Sequence, residues 1–376
     1  MHPNKAPRPD GMSPIFFQRF WTIIHSDLVE SIQNFVNTGR MLKAFNETLI
    51  TLIPKIDTPI NLSHYRPISL CNVVYKVIAK ILVNRLKPLL GGCISHSQAA
   101  FVPGRQIIDN IIIAHEYIHW LNNKRGGKDA FMALKIDMSK AYDRVEWKFL
   151  FAVMSKMGFC PRWIKWIHGC LSSMSFSFNI NGEKQGYVRP TRGISQGDPL
   201  SPYLFLFCAE ALSRTLKQAT EDNRISGIKI SRQSPTISHL FFADDSLMFC
   251  KANIGEAEEI MRILKCYERA SGQQINIEKS SIFLSKNILH TEAEAVLRPL
   301  GNIQLVTQSK YLGLPMVIGR SKNSVLRFIK EKMCKKLQIW TGKMLNSAGK
   351  EVLLKFVALA LPSYAMSVFK LPAGLC

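Results

Sequence analysis

"HLFFADDSLMFCK", residues 239–251, sets two neighbouring aspartates between two apolar arms. An ionised carboxylate among apolar groups costs more than one strand's hydrophobic gain unless a cation meets it. Neighbouring side chains on a strand point to opposite faces. Asp244 and Asp245 can therefore serve one centre only from a turn, and "ADDS" between the two arms reads as such a turn. A second acidic strand end lies upstream. In "LKIDMSKAYD", Asp137 follows the apolar "ALKI", where a strand would stop. Bringing Asp137 beside the turn makes three carboxylates converge. Such a cluster repels itself or takes up protons, whereas an oxygen-rich site is what Mg²⁺ prefers.

The composition points the same way. Of 376 residues, 47% are hydrophobic, ample for a globular core with several sub-domains. Lys and Arg outnumber Asp and Glu by 49 to 27, a formal charge of +22. That excess implies a polyanionic partner, most simply nucleic acid, with a solvated basic surface as the bland alternative. A basic groove around a carboxylate cluster is the arrangement for two-metal phosphoryl transfer. One ion lowers the pKa of a 3′-hydroxyl and the other steadies the leaving pyrophosphate. On residue types alone, Asp244 and Asp245 as plain turn residues and Asp137 as a helix cap stay open.

The nine cysteines are scattered with no C-x-x-C pair, so reduced, mostly buried thiols of an intracellular protein are expected. The start, "MHPNKAPRPDG", lacks the apolar core of a signal peptide. "VLLKFVALALPSYAMSVF", residues 352–369, is interrupted by Lys355 and Pro362. It predicts a buried amphipathic helix ending near the proline rather than a membrane span.

Along the chain, apolar spacing predicts a mainly helical stretch over 14–50, then extended segments punctuated by Pro54, Pro59 and Pro67. Further helices are expected over 71–90 and over 107–124, the latter ended by Gly126 and Gly127. "SFSFNINGEKQGYVRP" predicts a hairpin turning at Asn181–Gly182. Asp198 is placed to cap a long helix with Pro199 in its first turn. A helix over 254–271, short strands before 320 and a basic helical tail from Lys322 complete the pattern. Helices and hairpins are mixed rather than strictly alternating, which predicts an α+β fold.

"FADD", "KIDMSKAYD", "RGISQGDPLSPYLF" and "YRPISL" together resemble the reverse transcriptase of non-LTR (LINE-type) retrotransposons, plant ones especially. The motifs stand in the family's order, and the resemblance runs from "KAPRPDG" to "LALPSYAMSVFKLP". It implies a right hand: fingers over 1–128, palm over 129–318 with an inserted fingers hairpin near 174–190, and a thumb over 319–376. The implied activity is RNA-directed DNA synthesis, adding dNTPs to a primer 3′-hydroxyl. RNA template, DNA primer and their hybrid are the partners, and no membrane is involved. Asp137, Asp244 and Asp245 become ligands of two Mg²⁺ ions, replaceable by Mn²⁺, with Asp244 as the bridge. Tyr142, five residues after Asp137, matches the steric gate that excludes a ribose 2′-hydroxyl. Gln196 and Gly197 match the segment packing on the incoming nucleotide. Lys55 and Arg66 match the cations that grip the triphosphate, a role their charge suits. Lys279 matches a lysine that protonates pyrophosphate. Tyr311 and Gly313 in "KYLGLP" resemble the primer grip, and Trp340 with its basic helices resembles the thumb.

The chain departs from the family at Arg8, which stands where the family has a glycine. The family's endonuclease, cysteine-rich and RNase H segments are not seen, which suggests a fragment or a decayed copy. The family's life cycle implies nuclear work, but no clear nuclear signal is present. Two rivals remain. A basic RNA-binding remnant would share the charge but has no chemical need for the acidic trio. "HEYIH", residues 115–119, fits H-E-x-x-H, with His115, His119 and Glu116 as a zinc-peptidase set, but no third ligand follows.

Overall fold

Short apolar runs, several closed by tight turns, form most of the strands. In chain order these are β1 (Glu47–Pro54), β2 (Tyr65–Cys71), β3 (Phe131–Ile136), β4 (Ser175–Ile180), β5 (Glu183–Val188) and β6 (His239–Phe242). Then follow β7 (Asp245–Lys251), β8 (Ser281–Leu284), β9 (Gln304–Leu305), β10 (Lys310–Tyr311) and β11 (Leu314–Pro315). The structure, a computed structural model, describes residue 2 and residues 10–301, 303–319, 321–341 and 346–376. The departure at Arg8 lies outside the described residues. The chain divides into two units.

The first unit comprises Met1–Gly104, Met138–Gln218 and Met261–Asn276. Its sheet has the order β2-β1-β4-β5. β1 pairs antiparallel with β2, from Thr48 opposite Cys71 to Pro54 opposite Tyr65, and parallel with β4. The β4–β5 turn lies at Asn181 and Gly182, both at positive φ (53° and 91°), the conformation an Asn-Gly pair favours. The helical expectation over 14–50 is corrected at its end. The helix Trp21–Thr38 stops at Gly39, which takes the left-handed conformation, and from Glu47 the chain is strand. The β-branched Thr48, Ile50, Thr51 and Ile53 suit a pleated surface, and β2 supplies their partner strand.

The long apolar helix begins at Ser201, two residues beyond Pro199, which therefore lies outside it. Asp198 accepts from Leu200 N (3.0 Å) and Ser201 Oγ (3.1 Å), bonding ahead of the first turn rather than inside it.

The second unit comprises Arg105–Asp137, Ala219–Ile260 and Ile277–Cys376. Its sheet has the order β6-β7-β3-β8-β9, antiparallel except for the short β8–β9 pair. The helix Ile107–Asn123 buries Ala114, Tyr117, Ile118 and Leu121 against Ala133, Leu247, Phe249 and Phe283 of the strands. Its end precedes Gly126, because the Lys124 amide already closes the last turn onto Trp120 and Leu121 carbonyls. A second cluster joins Ile111 of this helix to Leu314, Leu326, Ile329, Ala365 and Phe369, so the basic helix Lys322–Thr341 and the C-terminal helix dock on it.

The buried helix expected over 352–369 is also corrected. A helix Ser347–Leu353 widens into a π-turn at Leu354–Ala358, and a new helix runs Ala360–Met366. Pro362 sits in the first turn of that new helix, where its missing N–H leaves no bond unmade. Phe356, Leu359 and Met366 are exposed. Among the described residues no helix is long and apolar enough to cross a membrane. All nine cysteines are free, but only Cys71, Cys170, Cys208 and Cys250 are buried. Cys160, Cys266, Cys334 and Cys376 are exposed, because they fall at helix ends and outer helix faces or at the C-terminus.

Candidate active site

Two apolar strands and the shortest possible loop present the aspartates. β6 and β7 pair from His239 opposite Met248 to Phe242 opposite Asp245. Only Ala243 and Asp244 are left for the turn. Ala243 lies at φ 55°, a left-handed conformation that costs an alanine about 1 kcal/mol or more. Such local strain persists where the surrounding structure imposes it, and here the paired strands fix both ends of the loop.

β3 runs beside β7 with Ile136 opposite Ser246. Asp137, the residue after that strand end, lies close enough to Asp245 for its charge to act on it. The Asp137 amide leaves the ladder and donates to Ser280 Oγ at 3.2 Å, which pins the strand end from the β8 side. Sequence reasoning missed Ser280, whose role depends on sheet order.

The electrostatics agree with this neighbourhood. Loss of solvation raises the Asp244 carboxyl above the usual carboxylate range, and Asp137 raises it further. Desolvation raises Asp245 too, followed by Asp244, with Lys135 opposing and Asp137 adding. Asp244 is exposed at the turn and Asp245 half-buried, so neither is a core residue. The charge of Asp137 thus reaches both residues of the pair, and that of Asp244 reaches Asp245. An all-carboxylate donor set of this kind suits a hard divalent cation. Among the described residues, however, no three His, Cys, Asp or Glu side chains form a ready-made metal shell, so the carboxylates are neighbours rather than a closed cage.

Further along the second unit, β10 and β11 form a hairpin around Leu312 and Gly313. Tyr311, expected in the grip, has its ring buried at 2% exposure, packed in the cluster under the sheet. Burial raises its hydroxyl well above the usual range, and Asp245 adds to that shift. Asn110 donates to Phe241 O (2.8 Å), an outward carbonyl of the edge strand β6, and at longer range to Tyr311 Oη (3.5 Å). Lys279 is exposed at the end of the short helix Ile277–Lys279. Lys310 and Lys332 both lie over the Phe328 ring, at 5.2 and 5.5 Å. Trp340 is half-buried near the end of the basic helix.

The remaining candidates lie in the first unit. Tyr142 stacks on Phe205 at 5.3 Å with the rings 6° from parallel, and its carbonyl accepts from Ile194 N. Phe205 is a second contact that sequence patterning did not single out. Gln196 is exposed, and its carbonyl accepts from Ser69 N at 2.8 Å. Gly197 lies at φ 108°, and a Cβ there would come within 3.0 Å of Ser69 O, so this position needs glycine. Lys55 is exposed just past β1 and donates to Ser63 O at 2.9 Å, while the exposed Arg66 stands on β2 opposite Ile53. Asp143, the residue after Tyr142, is raised by desolvation, with Lys140, Arg144 and Lys55 pulling it down.

The HEYIH stretch is part of the helix Ile107–Asn123. His115 and His119 stack 6.3 Å apart, His115 packs on Phe369, and His119 bonds Asn123. Burial lowers His115, which favours the neutral form where the ring packs on Phe369.

The chain is 27% identical over 285 residues to an uncharacterized 149 kDa protein of transposon TX1 from Xenopus laevis, covering 76% of this chain and 21% of that protein. It is 26% identical over 262 residues to a Pol polyprotein of the type-1 retrotransposable element R2 from Nasonia vitripennis, covering 69% and 24%. The chain thus spans about a fifth to a quarter of these relatives' length. Among solved structures, a Candida albicans telomerase in complex with a fragment of telomeric RNA matches with TM-score 0.46 at 13% identity, covering 95% of this chain and 60% of that one. The chain's mixture of helices and largely antiparallel sheets is the expected α+β class, the reverse transcriptase (RNA-dependent DNA polymerase) model matches residues 53–316, and the chain belongs to that family.

Proposed function

We propose that this chain copies RNA into DNA, joining deoxynucleoside triphosphates to a primer 3′-hydroxyl. The observation that carries the proposal is the aspartate turn beside the acidic end of β3. Enzymes of this family work with divalent metal ions. We assign the site two Mg²⁺ ions, replaceable by Mn²⁺, held by Asp137, Asp244 and Asp245. Such ions, when bound, supply Lewis acidity at the attacking oxygen and charge compensation at the departing pyrophosphate.

The other roles fall to the chain itself. Tyr142, its ring fixed on Phe205, bars a 2′-hydroxyl by volume. Lys55 and Arg66 hold the triphosphate by charge and by the donor fork of the guanidinium. The segment at Gln196 and Gly197, tied to β2 through Ser69, supports the nucleotide from its backbone. Lys279 donates the proton that pyrophosphate takes up. The turn after Tyr311, at Leu312 and Gly313, meets the primer end, with Tyr311 as its buried anchor. The basic helices beyond residue 319 follow the RNA–DNA hybrid through phosphates, with little sequence preference. This partition makes residues 1–128 fingers, 129–318 palm and 319–376 thumb.

Primer extension on an RNA template with Mg²⁺ and dNTPs tests the proposal. Asp244→Asn keeps the shape of the side chain and removes ligand charge, so synthesis is expected to vanish while the thermal midpoint stays or rises. Undiminished synthesis by this variant overturns the assignment. A wild-type chain that binds RNA tightly yet extends no primer identifies the binding remnant instead.

A further inference from the structure

The hairpin β10–β11 turns on Leu312 at φ 49° and Gly313 at φ 81°. Glycine takes this conformation freely, but leucine does not, and a branched side chain held there stores strain. Two kinds of contact hold Leu312 in place. Its side chain packs against both apolar clusters of the second unit. Its carbonyl accepts a hydrogen bond from Tyr364 Oη at 2.7 Å, across 52 residues of chain. Tyr364 belongs to the C-terminal helix Ala360–Met366, which is anchored one residue further on by Ala365 in the cluster with Leu314 and Leu326. The hydroxyl of this last helix thus meets the backbone of the most strained residue in the hairpin.

We infer that Tyr364 is a positioning residue that braces the Leu312–Gly313 turn, and so sets where the primer's 3′ end is held. This rests on the polymerase reading above. A turn at φ 49° on leucine relaxes toward ordinary backbone if its carbonyl loses its donor, and the hairpin tip moves with it. The apolar contacts of Leu312 keep the hairpin docked, but they have no fixed direction. The hydrogen bond is directional, and it fixes the tilt of the peptide plane at the tip. The C-terminal helix thereby acts on the chemistry through one carbonyl without reaching the reacting atoms.

The test uses the full chain with a DNA primer annealed to an RNA template, and the variants Tyr364→Phe, Leu312→Gly and the double variant. Tyr364→Phe removes one oxygen from an exposed ring. It is expected to lower kcat about five- to tenfold, the worth of one directional bond, with the dNTP KM and primer–template Kd within about twofold. Glycine at 312 needs no brace, so in the Leu312→Gly background Tyr364→Phe is expected to cost less than about twofold. An unchanged kcat in Tyr364→Phe, or an equal loss in both backgrounds, overturns the inference. Hydrogen–deuterium exchange of the 309–316 peptide reads the brace without any synthesis. Faster exchange in Tyr364→Phe is expected, and unchanged exchange overturns the brace even if the wild type extends no primer. Full synthesis by Asp244→Asn strikes the polymerase reading alone, since the exchange result is independent of it.

Discussion

Replacing Tyr75 by phenylalanine isolates one bond in the segment that carries Gln196 and Gly197. The Asp198 carboxylate, 4% exposed, accepts from Tyr75 Oη at 2.9 Å, besides Leu200 N and Ser201 Oγ. Tyr75 is itself 2% exposed, and phenylalanine keeps its ring, so no cavity opens. What disappears is a hydrogen bond to a buried charged group, worth about 1.5–3 kcal/mol. Burial holds the Asp198 carboxyl above its usual range, while the bonds from Leu200, Tyr75 and Ser201 pull it back down. Without Tyr75 it rises further. A carboxyl raised on folding costs stability as pH climbs through its unfolded and then its folded pKa, and costs nothing below both. The destabilisation by Tyr75→Phe is therefore larger at about pH 7.5 than at about pH 4.5. Urea unfolding followed by tryptophan fluorescence at both pH values measures it. A loss under about 0.5 kcal/mol at the higher pH, or no difference between the two, refutes the picture of an ionised, hydrogen-bonded Asp198.

The other predictions concern the turn and its surroundings. Mg²⁺ or Mn²⁺ at ten times its dissociation constant is expected to stabilise the wild type by about 1.4 kcal/mol in thermal melts, and Asp245→Asn to lose that gain. Ala243→Gly relieves the left-handed alanine at φ 55°, so it is expected to be neutral to about 1 kcal/mol stabilising; a clear loss would show that Ala243 packs specifically. Gly197→Ala forces a Cβ toward Ser69 O, and a cost of about 1–3 kcal/mol is expected in the same unfolding assay. Tyr142→Ala is expected to admit ribonucleotides in primer extension, and unchanged sugar selection would remove the gate assignment.

The parts legible in the sequence were those set by neighbouring residues. The aspartate turn, the Asn181–Gly182 hairpin and the helix Ile254–Ser271 each follow from short-range pattern. β1 was not legible. Its run "LITLI" suits a helix or a strand, and the arbiter is pairing with β2 and β4. The C-terminal stretch is opaque for another reason: a proline usually marks a helix end, whereas the π-turn before Pro362 lets a second helix begin around it. Phe205 under Tyr142, Ser280 at Asp137 and Asn110 at Phe241 act across long sequence separations. No local pattern encodes such contacts. The cysteine expectation failed because a thiol is small enough for solvent-facing helix positions to carry it at little cost.

The brevity of the loop between Phe242 and Asp245 couples the proposed catalytic centre to the hydrophobic interior. Side chains alternate along β7, so one inserted or deleted residue would swing Asp245 to the far side of the sheet. The same slip would carry Leu247 and Phe249 out of the core that they fill. Spacing errors at this spot would therefore be rejected as misfolded chains before any nucleotide is met. Point changes to the acids themselves would pass unnoticed by folding, so a silenced copy of this chain can be expected to keep the frame of the proposed centre after losing the charges.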